Sequence, residues 1–239
     1  MRVTVSKNYE ELCKKVCNFM IEDFQKLSSP LLCFAGGETP LGIFKYLIKL
    51  VKNGIISFDQ THFISLDEWV DLDASDQGSC RNTLDKYLFG PLNIKKSSIY
   101  FFNGKSKDLL QQCLETNRYL ENRGPIDLVL LGIGINGHIG FNEPGSTLNS
   151  ICRLVSLDES TRNIGQKYFN FSRKLNQGIT LGLKQILEAR TAVLIASGKS
   201  KRNIVKTLLK NRETDLSFPV SSLWQHSNCF LFVDEEAYF

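Results

Sequence analysis

The sequence lacks the features that mark membrane, secreted and nucleic-acid-binding proteins. Its longest apolar stretch, Ile126–Ile135, is far shorter than the roughly 18 residues that cross a bilayer, and Asp127 interrupts it. The opening residues MRVTVSKNYEE contain no apolar signal-peptide core. A formal charge of +4 is small, whereas nucleic-acid-binding proteins usually carry a concentrated basic face. We therefore expect a cytoplasmic protein without a membrane or nucleic-acid partner.

A disulfide framework and a metal-binding cluster are also missing. The seven cysteines are odd in number and scattered along 239 residues, which is typical of reduced thiols in a cytosol. Cys13 and Cys17 are four residues apart on a predicted helix, but no second Cys/His pair at ligand spacing accompanies them. Buried thiols are the favoured interpretation, and we predict no bound metal.

No internal repeat, charge block or Pro/Ser linker divides the chain, so one α/β domain over residues 1–239 is predicted. Six apolar runs predict buried strands: Leu31–Ala35, His62–Leu66, Ser98–Phe102, Ile126–Gly132, Thr191–Ser197 and Cys229–Val233. Helical patterns lie between them: Tyr9–Leu27, Pro40–Lys52, Ser79–Leu88, Lys107–Asn122, Glu159–Tyr168, Ile179–Ala189 and Lys201–Lys210. Wholly apolar strands that alternate with helices favour a mostly parallel central sheet with helices on both faces, a three-layer, modified Rossmann-like architecture.

Ligands of such sheets usually bind beyond the carboxyl ends of the strands, and four segments there carry unusual residues. The first is the turn Ala35–Gly42. Its glycines Gly36 and Gly37 would let backbone N–H groups converge on an anion at the start of the next helix, for which Thr39 is the expected N-cap. A tight turn without a ligand explains this segment equally well.

Two further segments carry charged side chains. At Ala196–Arg202, three cations gather where a helix begins, although the positive end of a helix disfavours them; a bound anion or a solvated basic face would explain this equally well. At Leu66–Leu72, Asp67 and Glu68 end a strand, so only one of them can face the crevice, where it could act as a general base. A pair of capping or surface acids is the alternative.

The richest segment is Leu131–Gly145, which holds five glycines, His138 and Glu143. Histidine exchanges protons near neutral pH, and a nearby carboxylate can orient its ring and stabilise the charged form. Together the four segments predict a crevice that transfers protons on a small phosphorylated metabolite. The residues themselves indicate this style of reaction without specifying the substrate.

With these residues in view, the chain resembles the superfamily of glucosamine-6-phosphate isomerases and 6-phosphogluconolactonases over nearly its whole length. The loop GINGHIGFNEPG (134–145) is similar to the signature of the amino-sugar branch, and LDEWVDL (66–72) to its catalytic strand end. The lactonase branch typically continues its Gly-His loop with Thr-Ala-Ser and lacks the acid found here as Glu143. Several segments are closer to the galactosamine-6-phosphate isomerases: LDEWVDL (66–72) followed by GSC (78–80), QGITLGLKQILEAR (177–190) and SSLWQHSN (221–228).

The resemblance implies a cofactor-independent reaction that turns an aminohexose 6-phosphate and water into a ketohexose 6-phosphate and ammonia. Galactosamine 6-phosphate, converted to tagatose 6-phosphate, is the first expectation; glucosamine 6-phosphate, converted to fructose 6-phosphate, is the alternative. Hydrolysis of 6-phosphogluconolactone is less favoured because of the run Phe141–Pro144. A sensor that only binds the sugar phosphate would leave the acid and histidine residues without a purpose.

The resemblance also implies roles for individual residues. His138 would open the sugar ring with Glu143 orienting its imidazole, and Asp67 would move a proton from C2 to C1. Asn136, where many members carry Asp, would orient groups by hydrogen bonding. The residues implied in substrate binding are Gly36, Gly37, Thr39 and Lys201 for the phosphate and Gly132 and Gly134 for the sugar.

Three departures from the family pattern lead to further expectations. A carboxylate would repel a phosphate, so the Glu38 side chain is predicted to turn outward, and Lys167 stands near the place of a phosphate-binding arginine. The ending FLFVDEEAYF comes earlier than in the allosteric hexameric members. We therefore expect a monomer or a small homo-oligomer.

Overall fold

The computed structural model describes all 239 residues and is built around a seven-stranded sheet in which all neighbouring strands are parallel. The strands are β1 (Arg2–Ser6), β2 (Leu31–Phe34), β3 (His62–Ser65), β4 (Asp67–Trp69), β5 (Ile99–Tyr100), β6 (Leu128–Gly132), β7 (Arg153–Ser156), β8 (Gln177–Thr180), β9 (Thr191–Ala196) and β10 (Cys229–Asp234). The order in the large sheet is β1-β10-β9-β6-β2-β3-β5. All six strands predicted from apolar runs belong to this sheet, so that prediction is confirmed.

Helices cover both faces of the sheet, which confirms the predicted three-layer α/β architecture. They are α1 (Tyr9–Phe24), α2 (Leu41–Lys52), α3 (Cys80–Leu84), α4 (Leu109–Arg123), α5 (Glu159–Gly165), α6 (Leu183–Leu187), α7 (Arg202–Lys210) and α8 (Glu235–Tyr238). Alternate residues of β6 show the two layers: Val129 and Leu131 join a core of 28 buried residues with α4, α6 and α7, whereas Leu128 and Leu130 join one of 22 with α1 and α2. This alternation is the two-residue period of a strand buried on both sides.

A second, three-stranded antiparallel sheet of order β4-β8-β7 lies outside the sequence-based prediction. The predicted helix Ile179–Ala189 is wrong at its start, because Ile179 and Thr180 belong to β8 and pair with β4 and β7. The helix itself covers only Leu183–Leu187. The strands of this sheet, with the sequences DEW, RLVS and QGIT, contain no apolar run, so pairing partners distant in the chain decided the structure.

The order of the central strands brings the four unusual segments together. Strands β9, β6, β2 and β3 are consecutive neighbours in the parallel sheet, so their carboxyl ends lie side by side. The segments that follow these strands are the ones that the sequence singled out: 196–202, 131–145, 35–42 and 66–72. No helix in the structure combines the length and the apolar character that a membrane crossing requires.

Candidate active site

A cavity of about 470 Å³ opens at the carboxyl ends of these four strands. Eight of the ten predicted site residues line it: Gly36, Gly37, Thr39, Asp67, Gly132, Gly134, His138 and Lys201. The other two, Asn136 and Glu143, are not part of the lining and contact His138 instead. The sequence-based selection therefore converges on one place in the fold.

The adjacent acids Asp67 and Glu68 point in opposite directions, as expected for neighbours on a strand. Asp67 lines the cavity and is 8% exposed. Glu68 is fully buried, and its carboxylate accepts hydrogen bonds from the backbone N–H groups of Trp69, Cys80 and Arg81, each at 2.9 Å. Glu68 thereby ties β4 to the first turn of α3 and holds the strand that presents Asp67.

The environment of Asp67 favours a carboxyl group that titrates near neutrality. Burial raises the pKa of Asp67 to about 6, while the Cys80 side chain and the charge of His138 act in the opposite direction. The backbone of Gly140 passes close by, since a Cβ atom there would lie 3.4 Å from Asp67 Oδ2. A carboxyl group with such a pKa can both accept and return a proton near pH 7.

The imidazole of His138 is held through its Nδ1 atom. Thr161 Oγ1 lies 3.1 Å and Glu143 Oε2 3.5 Å from Nδ1. Asn136 donates through Nδ2 to Glu143 Oε2 at 2.9 Å and accepts the backbone N–H of His138 at 3.1 Å. The predicted His–Glu pair therefore exists in the structure, with Asn136 bracing both members.

Electrostatics keep the Glu143 carboxylate ionised behind the histidine. Burial opposes ionisation, but hydrogen bonds from His138, Thr161 and Asn136 and the charge of His138 outweigh it and lower the pKa of Glu143. An ionised carboxylate at Nδ1 stabilises the imidazolium form. Because Nδ1 is occupied by these partners, Nε2 is the nitrogen available to a ligand.

One glycine in this loop is required for the position of the histidine. A Cβ atom at Gly134 would lie 2.3–2.4 Å from three atoms of the His138 ring. The ring therefore packs directly on the backbone of residue 134, and any larger residue would displace it. A Cβ atom at Gly132, by contrast, would meet no atom within 4 Å, because this glycine faces open cavity space.

The turn before α2 differs in one respect from the prediction. The predicted Thr39 cap is wrong, because Pro40 occupies the N-cap position of α2 and no side chain caps this helix. Instead, the Thr39 carbonyl accepts the hydroxyl of Tyr9 at 2.8 Å, and that hydroxyl accepts the N–H of Gly42 at 2.9 Å. Tyr9 of α1 therefore takes over the bracing of the turn.

Two lysines face the cavity near this turn. Lys201 donates to the carbonyl of Ile133 at 2.6 Å, and its burial, together with the nearby charge of Lys167, lowers its pKa. Lys167 lines the cavity as well and forms an ion pair with Glu38 at 2.5 Å. Glu38 is exposed but does not turn away from the site as predicted, because Lys167 attracts its carboxylate back across the cavity.

In α5 and the 3-10 turn Gln166–Tyr168 that follows it, sequence reasoning singled out Lys167 but neither Thr161 nor Tyr168. Thr161 and Tyr168 line the cavity from this segment, and Thr161 is a direct partner of His138. The helical pattern was visible in the sequence, but no motif in it indicates which side faces the cavity. Arg153 donates to Asn142 and Ser146 and holds the Glu143 loop.

The side chains of the structure form no cluster that could hold a metal ion. No group of three or more His, Cys, Asp or Glu side chains has metal-binding geometry, and all seven cysteines are free and buried. A parallel α/β sheet that presents a buried acid, a His–Glu pair and two lysines at its carboxyl edge is typical of enzymes that act on small anionic metabolites.

Comparison with known proteins agrees with this class. The family of glucosamine-6-phosphate isomerases and 6-phosphogluconolactonases matches residues 5–231. The chain belongs to this family. The superfamily resemblance and the prediction of an enzyme are thereby confirmed.

Individual relatives lie in the amino-sugar branch. The glucosamine-6-phosphate deaminases of Thermoanaerobacter sp. (strain X514) and Clostridium perfringens are 35% and 36% identical over 238 residues, which cover 99% of this chain and 94% and 98% of theirs. A solved structure of a monomeric glucosamine-6-phosphate deaminase matches with a TM-score of 0.95 at 33% identity and covers 99% of this chain and 98% of that chain. The 6-phosphogluconolactonase of Trypanosoma brucei shares the fold, with a TM-score of 0.78 at 20% identity over 99% of this chain and 97% of that chain.

Proposed function

We propose that the protein converts glucosamine 6-phosphate and water into fructose 6-phosphate and ammonia. The observation that carries this proposal is the buried Asp67, with its pKa near 6, in the same cavity as the Glu143-supported His138. Interconversion of an aldose skeleton and a ketose skeleton needs one group that moves a proton between neighbouring carbons and another that opens the ring. The two side chains suit these tasks.

The first step is ring opening at His138. With Nδ1 held by Thr161 and Glu143, Nε2 accepts the proton of the C1 hydroxyl and delivers it to the ring oxygen. The C1–O5 bond breaks, and the product is an open-chain aldehyde with an ammonium group at C2. Glu143 supports the transient positive charge of the imidazole.

The second step is the isomerisation at Asp67. Its carboxylate takes the proton from C2, the electron pair of that C–H bond forms a C1=C2 double bond, and the aldehyde oxygen becomes a hydroxyl by taking a proton from the C2 ammonium. Asp67 then returns its proton to C1, which leaves an iminium group at C2. Water adds to C2 and its two protons pass to the nitrogen; the C2–N bond breaks, the water oxygen becomes the C2 carbonyl, and ammonia leaves in its protonated form.

The phosphate is proposed to bind at the turn that contains Gly36, Gly37 and Thr39, with Lys201 as its cation. This turn precedes α2, whose 12 residues provide a positive N-terminal end. Gly132 and Gly134 leave room for the sugar beside it. Anchoring the phosphate away from C1 and C2 supplies binding energy that positions the reacting carbons against Asp67.

Glucosamine 6-phosphate replaces galactosamine 6-phosphate as the leading substrate because of the relatives. The relatives from the amino-sugar branch are named glucosamine-6-phosphate deaminases. Of the segments on which the galactosamine expectation rests, 177–190 and 221–228 contribute no residue to the cavity lining, whereas 66–72 and 78–80 contribute Asp67, Gly78 and Cys80 among others. Galactosamine 6-phosphate, with tagatose 6-phosphate as product, stays a prediction.

The experiment compares three substrates on the purified protein. Ammonia and ketohexose 6-phosphate are assayed with glucosamine 6-phosphate and galactosamine 6-phosphate, and acid release with 6-phosphogluconolactone. We expect the highest kcat/KM for glucosamine 6-phosphate. A higher value for galactosamine 6-phosphate would change the substrate but keep the reaction, whereas a folded protein that releases no ammonia from either sugar would refute the proposal.

We further propose that the protein acts in the cytoplasm as a monomer or a small homo-oligomer. All residues with a proposed role come from a single chain, and one relative of known structure is described as monomeric. A charged sugar phosphate does not cross a lipid bilayer unaided, which favours the compartment where such sugars are made. Sedimentation velocity measures the oligomeric state, and a hexamer as the main species would contradict this proposal.

A further inference from the structure

A single ion pair joins two sides of the cavity. Glu38 lies in the turn between β2 and α2, and Lys167 lies in the 3-10 turn after α5, 129 residues further along the chain. Both line the cavity, and the distance from Lys167 Nζ to Glu38 Oε2 is 2.5 Å. The pair therefore lies in the lining of the cavity in which an anionic ligand would bind.

The pair contributes little to the stability of the fold. The two side chains are 45% and 60% exposed, and exposed ion pairs add almost nothing to the free energy of unfolding because water screens them. An ion pair that costs little to break can exchange its partner readily. Its position, rather than its strength, therefore calls for an explanation.

The charge balance of the cavity explains the position of the ion pair. Lys167 and Lys201 are close enough for Lys167 to lower the pKa of Lys201, so two cations face the cavity. Glu38 neutralises one of them. A carboxylate placed in an anion-binding turn repels an incoming phosphate and also occupies a cation that the phosphate could use.

We propose that Glu38 is an affinity-setting residue that competes with phosphate for Lys167. This inference rests on the proposed function, since it assumes that the cavity takes a phosphate ester. In the empty enzyme the Glu38 carboxylate pairs with Lys167; a bound phosphate dianion displaces it and takes the same ammonium group. The competition limits the affinity for every phosphate that enters, the product included. Release of the ketohexose 6-phosphate is therefore faster than it would be with an uncharged residue 38.

The test measures the binding of inorganic phosphate by calorimetric titration at low ionic strength near pH 7.5. We expect Glu38→Gln to bind phosphate about tenfold more tightly than wild type, because the Lys167 ammonium group is then free to pair with the dianion. The gain should shrink in high salt because the charges are exposed. Glu38→Ser serves as a second variant with the same expected direction.

The matched control is Glu188→Gln. Glu188 also pairs with a lysine, Lys184, at 3.6 Å, with both side chains about half exposed, but it lies outside the cavity. This variant should bind phosphate as wild type does. Unchanged or weaker phosphate binding in both Glu38 variants would overturn the proposal, because Glu38 would then support the turn instead of competing with the ligand.

A double-mutant comparison identifies Lys167 as the contested group. In a Lys167→Gln background, Glu38→Gln should raise phosphate affinity much less than it does in wild type. An equal gain in both backgrounds would contradict competition for Lys167. None of these titrations needs turnover, so a protein that releases no ammonia but shows the predicted phosphate affinities would refute the proposed reaction and leave this inference standing.

Discussion

At the scale of single residues, Asp67 and Glu68 show how position separates two identical functional groups. Glu68 receives three backbone N–H groups and serves the structure, whereas Asp67 is buried at the cavity with few partners. The alternation of a strand predicts that the two must differ. Which of them faces the cavity depends on the pairing of β4 with β8, which is not visible in the sequence.

The raised pKa of Asp67 predicts how activity depends on pH. A general base must be ionised, so kcat/KM should fall as the pH drops through about 6, well above the range of an ordinary aspartate. A pH–rate profile between about pH 4.5 and 8 measures this. The inhibition constant of inorganic phosphate is measured over the same pH range as a control. It reports how protonation of a phosphate group affects binding, and so separates that effect from the titration of Asp67. Activity that is constant down to about pH 4.5 would contradict the role of Asp67 as a base.

The partners of His138 show where sequence reasoning ends at this scale. Asn136 and Glu143 lie in the same glycine-rich loop as the histidine, so their spacing alone brings them within reach. Thr161 lies 23 residues from His138 and reaches it only because α5 packs over the loop. Contacts within a loop are predictable from spacing, whereas contacts made by packing are not.

At the scale of secondary-structure elements, the turn proposed to bind phosphate depends on a neighbouring helix. Tyr9, the first residue of α1, links Thr39 and Gly42 through its hydroxyl group. The sequence predicted both helices but assigned the bracing of the turn to Thr39. The actual brace joins residues at least 30 positions apart, so no local pattern could indicate it.

This contact predicts the effect of Tyr9→Phe. Loss of two hydrogen bonds to the turn should raise KM for glucosamine 6-phosphate and the inhibition constant of inorganic phosphate about fivefold, the scale of one hydrogen bond, with little change in kcat. Tyr46→Phe is the matched control, since its hydroxyl contacts Glu10 on the same helix pair and lies outside the cavity. Steady-state kinetics measure KM, kcat and the inhibition constant for both variants. Equal effects of the two variants would refute a specific role for Tyr9.

At the scale of the whole molecule, alternation of apolar runs and helices was sufficient to predict the parallel α/β sheet. The rule for carboxyl strand ends indicated four segments as candidates. That all four meet follows from the adjacency of β9, β6, β2 and β3, which is a property of the topology. The small sheet of β4, β8 and β7 was missed because its strands contain no apolar run.

The stability of this architecture depends on the core beneath the site. Phe63 of β3 is 1% exposed, and its ring centroid lies 4.9 to 5.9 Å from those of Phe34, Phe58 and Phe89. Phe63→Ala should lower the free energy of unfolding by about 3–5 kcal/mol. Phe171→Ala, at a side chain that is 79% exposed, should change it by less than about 0.5 kcal/mol. Urea unfolding measures both, and similar values for the two variants would contradict this account of the core.

The central claim is that Asp67 drives a deaminating isomerisation, and one measurement tests it most directly. Ammonia and fructose 6-phosphate are quantified together during turnover of glucosamine 6-phosphate by wild type and by Asp67→Asn. We predict equal amounts of the two products from wild type, and a loss of at least about a hundredfold in the variant, the scale of a missing general base, with calorimetric binding of the sugar retained. No ammonia from folded wild type, or a variant as active as wild type, would contradict the account.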